Sequence, residues 1–550
     1  MKIAIAQLNY RIADFENNLI KITDYIKRGK DEGADLIIFS ELAVCGYPPR
    51  DFLEFNDFIS NCQKSIHIIS QLTDSIACII GSPSQNRNHK GKSLFNSGFF
   101  LYKKKIQQVV HKSLLPTYDI FDEYRYFEPN KEFKIIKFKG LKLALTICED
   151  LWNVGSGKQY GQSPMDELIK QKPDFIINIS ASPFSWKHPE TRRNVMKKNC
   201  LKYKLPLFYV NHTGAQTELI FDGRSFCMNS KGQIYDELKS FEEDFKVIAL
   251  ADVMAFSKSK KDDFSKEVIL KEKEICQALV LGIKDYFAKM GFKKAILGLS
   301  GGIDSAVTIV LLCKALGKEN VLAVMLPSRY SSEHSLSDAE KLVQNLGCES
   351  QLISIEDLHT SGEKTLSPLF AGTHSGLTEE NIQARIRAVI LMALSNKFQY
   401  ILINTSNKSE MAVGYGTLYG DMCGGLSVLG DLYKTEVYEL AKYLNKDKEI
   451  IPLNILLKPP SAELKSGQKD SDTLPDYLIL DKILFNYIEK RKGNSELVKM
   501  GFEKKLVERV LGMVNATEWK RYQTPPVLRV SEKAFGVGRR MPIVARYVNR

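Results

Sequence analysis

The chain lacks most of the features that would fix its class at a glance. Its ten cysteines form no C-x-x-C pair, which argues against a zinc ribbon and a disulfide framework and fits a reducing compartment. No apolar run is long enough to cross a bilayer. The opening stretch MKIAIAQLNYRIADF has a short alternating apolar run but neither the apolar core nor the cleavage site of a signal peptide, so it reads as a first strand and a cytoplasmic location is expected. There is no short internal repeat, no low-complexity tract, no G-x-x-x-x-G-K-[ST] loop and no dinucleotide fingerprint. The net charge of +12 comes from 77 basic against 65 acidic residues, interspersed without a dense basic block. That pattern suits a surface handling phosphorylated small molecules better than one binding nucleic acid. Neither a nucleic-acid nor a membrane partner is expected.

What is present is length and two distinct grammars. A chain of 550 residues exceeds a single hydrophobic core. Residues 1–250 run through short β-rich segments such as KIAIAQLNY, ADLIIFSELAVCGYPP, NSGFFLY, KLALTICEDLW and DFIINISASPF, some separated by helical stretches and others only by turns. This predicts an α/β sandwich, two sheets face to face with helices outside. A strongly charged stretch, FSKSKKDDFSKEVILKEKE, reads as a linker over about 251–270. From 271 to 550 the order becomes strand, Gly-rich turn, helix, beginning at KAILGLSGGIDSAVTIVLLCKALG, which predicts a doubly wound parallel sheet.

In KLALTICEDLW the apolar run ends at Ile147, so Cys148 stands at a strand end, where sites are commonly built. Alone it reads more readily as a core cysteine, and the adjacent Glu149 and Asp150 disfavour a thiolate. Neighbouring strand residues point to opposite faces, however, so those acids need not share its pocket. Glu41 in FSELAVCGYPPRD ends another strand, and Lys112 lies in HKSLLPTYDIFDEYRYF. Each alone would pass for a solvated cap or a surface lysine. The three segments in this order, with ASPFSWKHPETRR, resemble the nitrilase/amidase superfamily. That resemblance implies a triad in which Glu41 is general base, Cys148 nucleophile and Lys112 the cation beside the developing oxyanion, acting on a carboxamide through a thioester. It also implies Glu123 as a second acid, for which a surface loop glutamate is an equal reading, and Tyr118, Ser182 and Lys187 as glutamine contacts. The loop SWKHPE departs from the usual family pattern.

In the second half, LGLSGGIDSA follows a strand and opens a helix, gathering free N–H groups around an anion. Gly301 and Gly302 permit close backbone approach. Ser300 and Ser305 add hydroxyls, and Asp304 would repel phosphate unless a divalent cation intervenes, which implies Mg²⁺. S-G-G-x-D-S resembles the pyrophosphate loop of the N-type ATP pyrophosphatases, with their adenine nucleotide alpha hydrolase-like fold. TEENIQARIRAVILMALSNK, LINTSNKSEMAVGYGTLYGDMCGG, KPPSAELKSGQKDSDTLPDYLILD and KRYQTPPVLRVSEKAFGVGRRMPIV resemble NAD synthetases, from about residue 265 onward. The chain as a whole thus resembles the glutamine-dependent NAD synthetase family. The resemblance implies ATP contacts at Arg329, Thr405, Lys434 and Ser461, a Mg²⁺ site at Asp304 and Glu410, and deamido-NAD contacts at Asn381, Arg385, Arg387, Thr417 and Asp421. Arg539 and Arg540 are further candidates for phosphate or the dinucleotide. Arg385 and Arg387 cannot both face one ligand by helical spacing alone, and a solvated face accounts for one of them.

Glutamine, ATP and deamido-NAD are the implied substrates, with a homo-oligomer and an internal route for ammonia. Two other readings stand beside this one: an amidotransferase of the same loop family acting on another carboxylate, a nucleotide or tRNA, and a scaffold with a dead amidase half.

Overall fold

The computed structural model describes every residue except 88–89, 156–159, 258–269, 466, 546 and 548–550. The predicted linker falls largely on 258–269, outside the described residues, while its first residues belong to the helix Leu250–Ala255. The chain divides into two compact units, Met1–Val268 and Ile269–Arg550.

Strands of the first unit are β1 Lys2–Gln7, β2 Leu36–Ile38, β3 Ala77–Gln85, β4 Leu94–Tyr102, β5 Lys105–His111, β6 Ile136–Phe138, β7 Leu141–Ile147, β8 Phe175–Ile179, β9 Leu207–Val210, β10 Thr213–Gln216, β11 Leu219–Asp222, β12 Phe226–Met228, β13 Ile234–Glu237 and β14 Asp244–Ala249. They form two six-stranded sheets, ordered β14-β1-β2-β3-β4-β5 and β13-β12-β9-β8-β7-β6, and a β10-β11 hairpin. Strand alternation explains the layering. Ile3, Ile5, Ile38, Leu145, Ile147, Ile177 and Phe208 meet between the sheets. Ala4, Ala6 and Ile37, one register on, pack outward on Ile22 and Ile26 of the helix Phe15–Asp31 and on Ile66 and Ile69 of the helix Asn56–Gln71. On the far side Ala144, Ile176 and Tyr209 pack on Met196 and Cys200 of the helix His188–Tyr203. This is the expected α/β sandwich.

The second unit holds β15 Lys294–Gly298, β16 Val321–Met325, β17 Glu349–Leu352, β18 Tyr400–Asn404 and β19 Leu426–Ser427, all parallel, in the order β17-β16-β15-β18-β19. The helix Leu377–Phe398 packs Leu391 on Ile296, Val324 and Leu402. The helices Lys271–Met290, Ile303–Leu316 and Lys434–Leu444 pack on one another. Strand order reverses between β15 and β18, the place where such sheets open a ligand crevice. The helices Tyr477–Ile488 and Lys504–Ala516 build a further core against Met411, Ala412 and Val413.

Candidate active sites

In the first unit, Glu41 lies just past β2, Lys112 follows β5 directly and Cys148 follows β7 directly. All three are buried. Lys112 Nζ donates to Glu41 Oε1 at 2.7 Å and to Glu123 Oε1 at 2.9 Å. Glu41 also accepts from Asn96 Nδ2 at 2.7 Å and from the Ala181 N–H at 2.9 Å. Tyr47 donates its hydroxyl to Glu123 at 2.9 Å. Cys148 opens a 3₁₀ turn, Cys148–Leu151, with φ of 42°, a left-handed conformation that costs a non-glycine residue.

Burial, then the charge of Glu41, hold the Cys148 thiol well above its ordinary pKa, and Lys112 works in the opposite sense. The resting sulfur is therefore a neutral thiol that needs a base. Burial alone would lower the Lys112 pKa, but Glu123 and Glu41 outweigh it, so the ammonium stays charged. Burial pushes Glu123 up to about 7.

The two acids after Cys148 are turned to other partners. Glu149 accepts from Tyr118 Oη at 3.0 Å and Tyr160 Oη at 3.1 Å. Asp150 accepts backbone N–H groups from Ser113, Leu114 and Ile147 at 2.9, 2.9 and 3.0 Å. Ser182 is buried, with its N–H on Asn211 and its hydroxyl 3.0 Å from His188 Nε2. His188 stacks on Trp152 at 5.2 Å. Lys187 is exposed, with φ of 71°, at the start of the helix His188–Tyr203. Sequence reasoning missed Asn96 and Tyr47. The two acids after Cys148 were visible, but not that Glu149 would be held by Tyr118 and Tyr160 and Asp150 by the N–H groups of Ser113 and Leu114.

In the second unit a cavity of about 320 Å³ opens at the switch point, lined in part by Ser300, Gly302, Asp304, Ser305, Thr405, Glu410, Asp421 and Lys434. Gly301 has φ of 74°, and a Cβ there would stand 2.1 Å from the Ser335 carbonyl, so only glycine fits. Ser300 Oγ accepts the Gly302 N–H at 3.2 Å and lies 3.1 Å from Ser305 Oγ, which shapes the loop before the helix Ile303–Leu316. Lys434 Nζ stands 2.5 Å from Asp304 Oδ2 and 3.3 Å from Glu410 Oε1. Asn407 donates to the other Asp304 oxygen at 2.9 Å. Burial pushes Glu410 up to about 8, Lys434 pulls it back and Asp304 adds to the rise.

The helix Leu377–Phe398 sends its polar residues to different places. Asn381 accepts from Thr417 Oγ1 at 2.7 Å, and Arg385 Nε donates to the Leu418 carbonyl at 3.2 Å. Arg387 instead donates to the Leu326 carbonyl at 3.0 Å and lines the cavity. Asp421 accepts the Thr417 N–H at 2.5 Å. Arg329 stands apart from the cavity lining, its Nε on Glu356 at 2.8 Å and its Nη2 on Thr360 at 2.9 Å. Arg539 is drawn to Glu518 at 2.6 Å, beside Arg521, which is a structural contact. The polar loop after Lys458 is fastened to the cavity wall. Glu463 accepts from Ser332 Oγ at 2.9 Å and Ser335 Oγ at 2.7 Å, and Ser461 Oγ donates to the Gln468 carbonyl at 2.5 Å.

The two folds and their sites define a class: a carbon–nitrogen hydrolase unit in tandem with an NAD synthase unit. Family models with those descriptions match residues 2–255 and 275–524. A glutamine-dependent NAD(+) synthetase from Synechocystis sp. is 42% identical over 99% of each chain. Another, from Thermotoga maritima, is 38% identical over all of this chain and 99% of its own. The solved synthetase of that name from Acinetobacter baumannii, in complex with ADP, superposes with a TM-score of 0.77 at 35% identity over 99% of this chain and 98% of its own. The chain belongs to the glutamine-dependent NAD(+) synthetases. A fourth member, from Cytophaga hutchinsonii, shares the fold at a TM-score of 0.84 and 20% identity, covering 99% of this chain and 98% of its own.

Proposed function

We propose that this chain amidates the nicotinate carboxylate of deamido-NAD with nitrogen taken from glutamine and with cleavage of ATP to AMP and pyrophosphate. The observation that carries the reading is the enclosed group of Glu41, Lys112 and Cys148 in a chain whose second unit opens an S-G-G-x-D-S cavity at its switch point.

In the first unit Glu41 takes the thiol proton, and the sulfur attacks the glutamine carboxamide carbon. Lys112 stabilises the negative oxygen that develops. Glu41 passes the thiol proton to the amide nitrogen, the C–N bond breaks, ammonia leaves, and a thioester remains. Glu41 then activates water, and glutamate departs. Lys112, Asn96 and the Ala181 N–H hold the Glu41 carboxylate for both transfers. Tyr118, Glu123 and Ser182 are proposed to border the glutamine. Lys187 would need to turn inward to join them.

In the second unit a carboxylate cannot release oxide, so the substrate oxygen first attacks the α-phosphorus of ATP. Pyrophosphate leaves toward the loop of Ser300, Gly301, Gly302 and Ser305. Ammonia then attacks the acyl adenylate, AMP leaves, and the amide is formed. Positioning and electrostatics supply most of the rate. Thr405, Lys434 and Ser461 are proposed nucleotide contacts. Asn381, Arg385, Arg387, Thr417 and Asp421 are proposed for the dinucleotide. Asp304 and Glu410 are proposed to hold Mg²⁺. Their carboxylate oxygens suit a hard cation, and the Lys434 ammonium between them supports a spot that favours positive charge. When bound, Mg²⁺ supplies neutralisation of the phosphate charge.

Ammonia must arrive unprotonated to react, which supports an enclosed route for it. Isotope-labelled ammonium in the medium tests this: little label in NAD is expected, and full mixing rejects the route. A cytoplasmic homo-oligomer belongs to the same reading, supported by the resemblance to the family, with light scattering to count the subunits. Among the described residues no helix is long and apolar enough to cross a membrane. The whole reading is tested by supplying glutamine, ATP, Mg²⁺ and deamido-NAD. NAD and glutamate should form together, and failure of deamido-NAD to stimulate ATP cleavage would remove the substrate assignment.

A further inference from the structure

We propose that Asp150 is a positioning residue for the thiol chemistry of the first unit: one carboxylate fixes the turn that carries Cys148 and fastens the segment that follows Lys112. The inference rests on the reading of Cys148 as the nucleophile.

The two oxygens of Asp150 do different things. Oδ2 accepts the Ile147 N–H at 3.0 Å, across the base of the Cys148 turn. Oδ1 accepts the N–H groups of Ser113 and Leu114, both at 2.9 Å, from a segment 36 residues or more away in sequence. Asp150 is 3% exposed, so water does not compete for these bonds. Hydrogen bonds to an ionised acceptor are the stronger kind.

Two physical needs meet in this one group. Cys148 is held at φ of 42°, and a strained residue keeps such a conformation only when its surroundings over-determine it. The bond from Ile147 supplies part of that constraint immediately before the strained residue. Lys112 must also stand where its charge reaches the sulfur, since it is the group that favours the thiolate. The bonds from Ser113 and Leu114 anchor the chain directly after Lys112. Glu149, the other acid of the CED triplet, takes no part in this, because its carboxylate is held by Tyr118 and Tyr160.

The test is Asp150→Asn in the full chain. The variant keeps the shape, but one acceptor oxygen becomes an NH₂ that cannot receive a backbone N–H. Turnover of glutamine should fall about 100-fold, the scale of a misplaced reacting group, while the KM for glutamine moves by less than about threefold, the mark of an effect on the reacting geometry. The pH profile for alkylation of Cys148 by iodoacetamide, read by peptide mass spectrometry, separates placement from charge. Displacement of Lys112 moves the profile to higher pH, whereas simple loss of a nearby negative charge moves it to lower pH. A kcat within about threefold of the parent, or a shift to lower pH, overturns the proposal.

Should the variant not fold, amide hydrogen exchange on the parent chain decides. Ser113, Leu114 and Ile147 should share strong protection, and exchange of Ser113 and Leu114 at open-loop rates overturns the proposal. Cys148→Ala run in parallel keeps the two readings apart. Glutamine use that survives loss of the sulfur removes the nucleophile itself. Glutamine use lost with Cys148→Ala but retained with Asp150→Asn removes only the role of Asp150.

Discussion

Lys112 and Lys434 each stand between two carboxylates, one pair in each unit, and the difference between them shows what each site is built to do. Lys112 is fully buried, and its partners Glu41 and Glu123 are 1% and 6% exposed. Asn96, Tyr47 and the Ala181 N–H complete the hydrogen bonding of those acids. Lys112, Glu41 and Glu123 are thus paired with one another and closed off from solvent, which fits the proposed covalent chemistry. Lys434 is nearly as buried, but Asp304 and Glu410 are 16% and 17% exposed and open on a cavity of about 320 Å³. That opening fits the proposed nucleotide and Mg²⁺ roles of Asp304 and Glu410, with the Lys434 ammonium between the two acids.

The comparison can be broken at the lysines themselves. Lys112→Met leaves two buried acids without their cation and should destabilise the first unit by roughly 3–5 kcal/mol, abolishing glutamine use. Lys434→Met should destabilise less, because its acids are partly exposed rather than closed off, while NAD formation falls with either nitrogen donor. Urea unfolding of both variants measures the gap, and equal losses would end the distinction. Next in size, Asp304→Asn should lower NAD formation from glutamine or ammonium by about 100-fold, with glutamine hydrolysis little changed. A steady-state assay with both donors checks this.

Smaller again, Ser182→Ala should raise the KM for glutamine by about tenfold, the worth of one hydrogen bond, without a matching loss in kcat. The smallest effect sharpens the view of the open site. Burial raises the Glu410 carboxyl to about 8 from its ordinary value near 4.5. A carboxyl that keeps its proton longer in the folded chain stabilises the fold below its unfolded pKa and loses that contribution as pH rises through about 8. Glu410→Gln has no such loss, so its melting temperature should match the parent at pH 5, to within about a degree, and exceed it at pH 9. A parent that melts higher at pH 9 would contradict the assignment.

Much of this was legible in the sequence because strand ends carry chemistry. Apolar runs that stop just before Glu41 and Cys148 marked two strand ends, and the glycines before Asp304 marked a strand-to-helix turn; Lys112 read on its own as a loop lysine and was singled out only by the resemblance to the amidases. What stayed hidden are the partners brought from far along the chain. Nothing near Asn96 announces that it will hold Glu41, 55 residues away. Arg329 follows a strand, where a phosphate ligand is expected, but its guanidinium is taken by Glu356, 27 residues later. Lys187 sits in a suitable segment, yet its left-handed backbone at a helix start sends the side chain to solvent, and His188 meets Ser182 in its place. Local pattern sets the elements, whereas side-chain partners depend on which elements the fold brings together.

The most direct measurement is a two-donor assay on Cys148→Ala. With ATP, Mg²⁺ and deamido-NAD, the variant should make NAD from ammonium at close to the parent rate, and should make none from glutamine while releasing no glutamate. Continued synthesis from glutamine at the parent rate would show that the sulfur is not the group that frees the nitrogen.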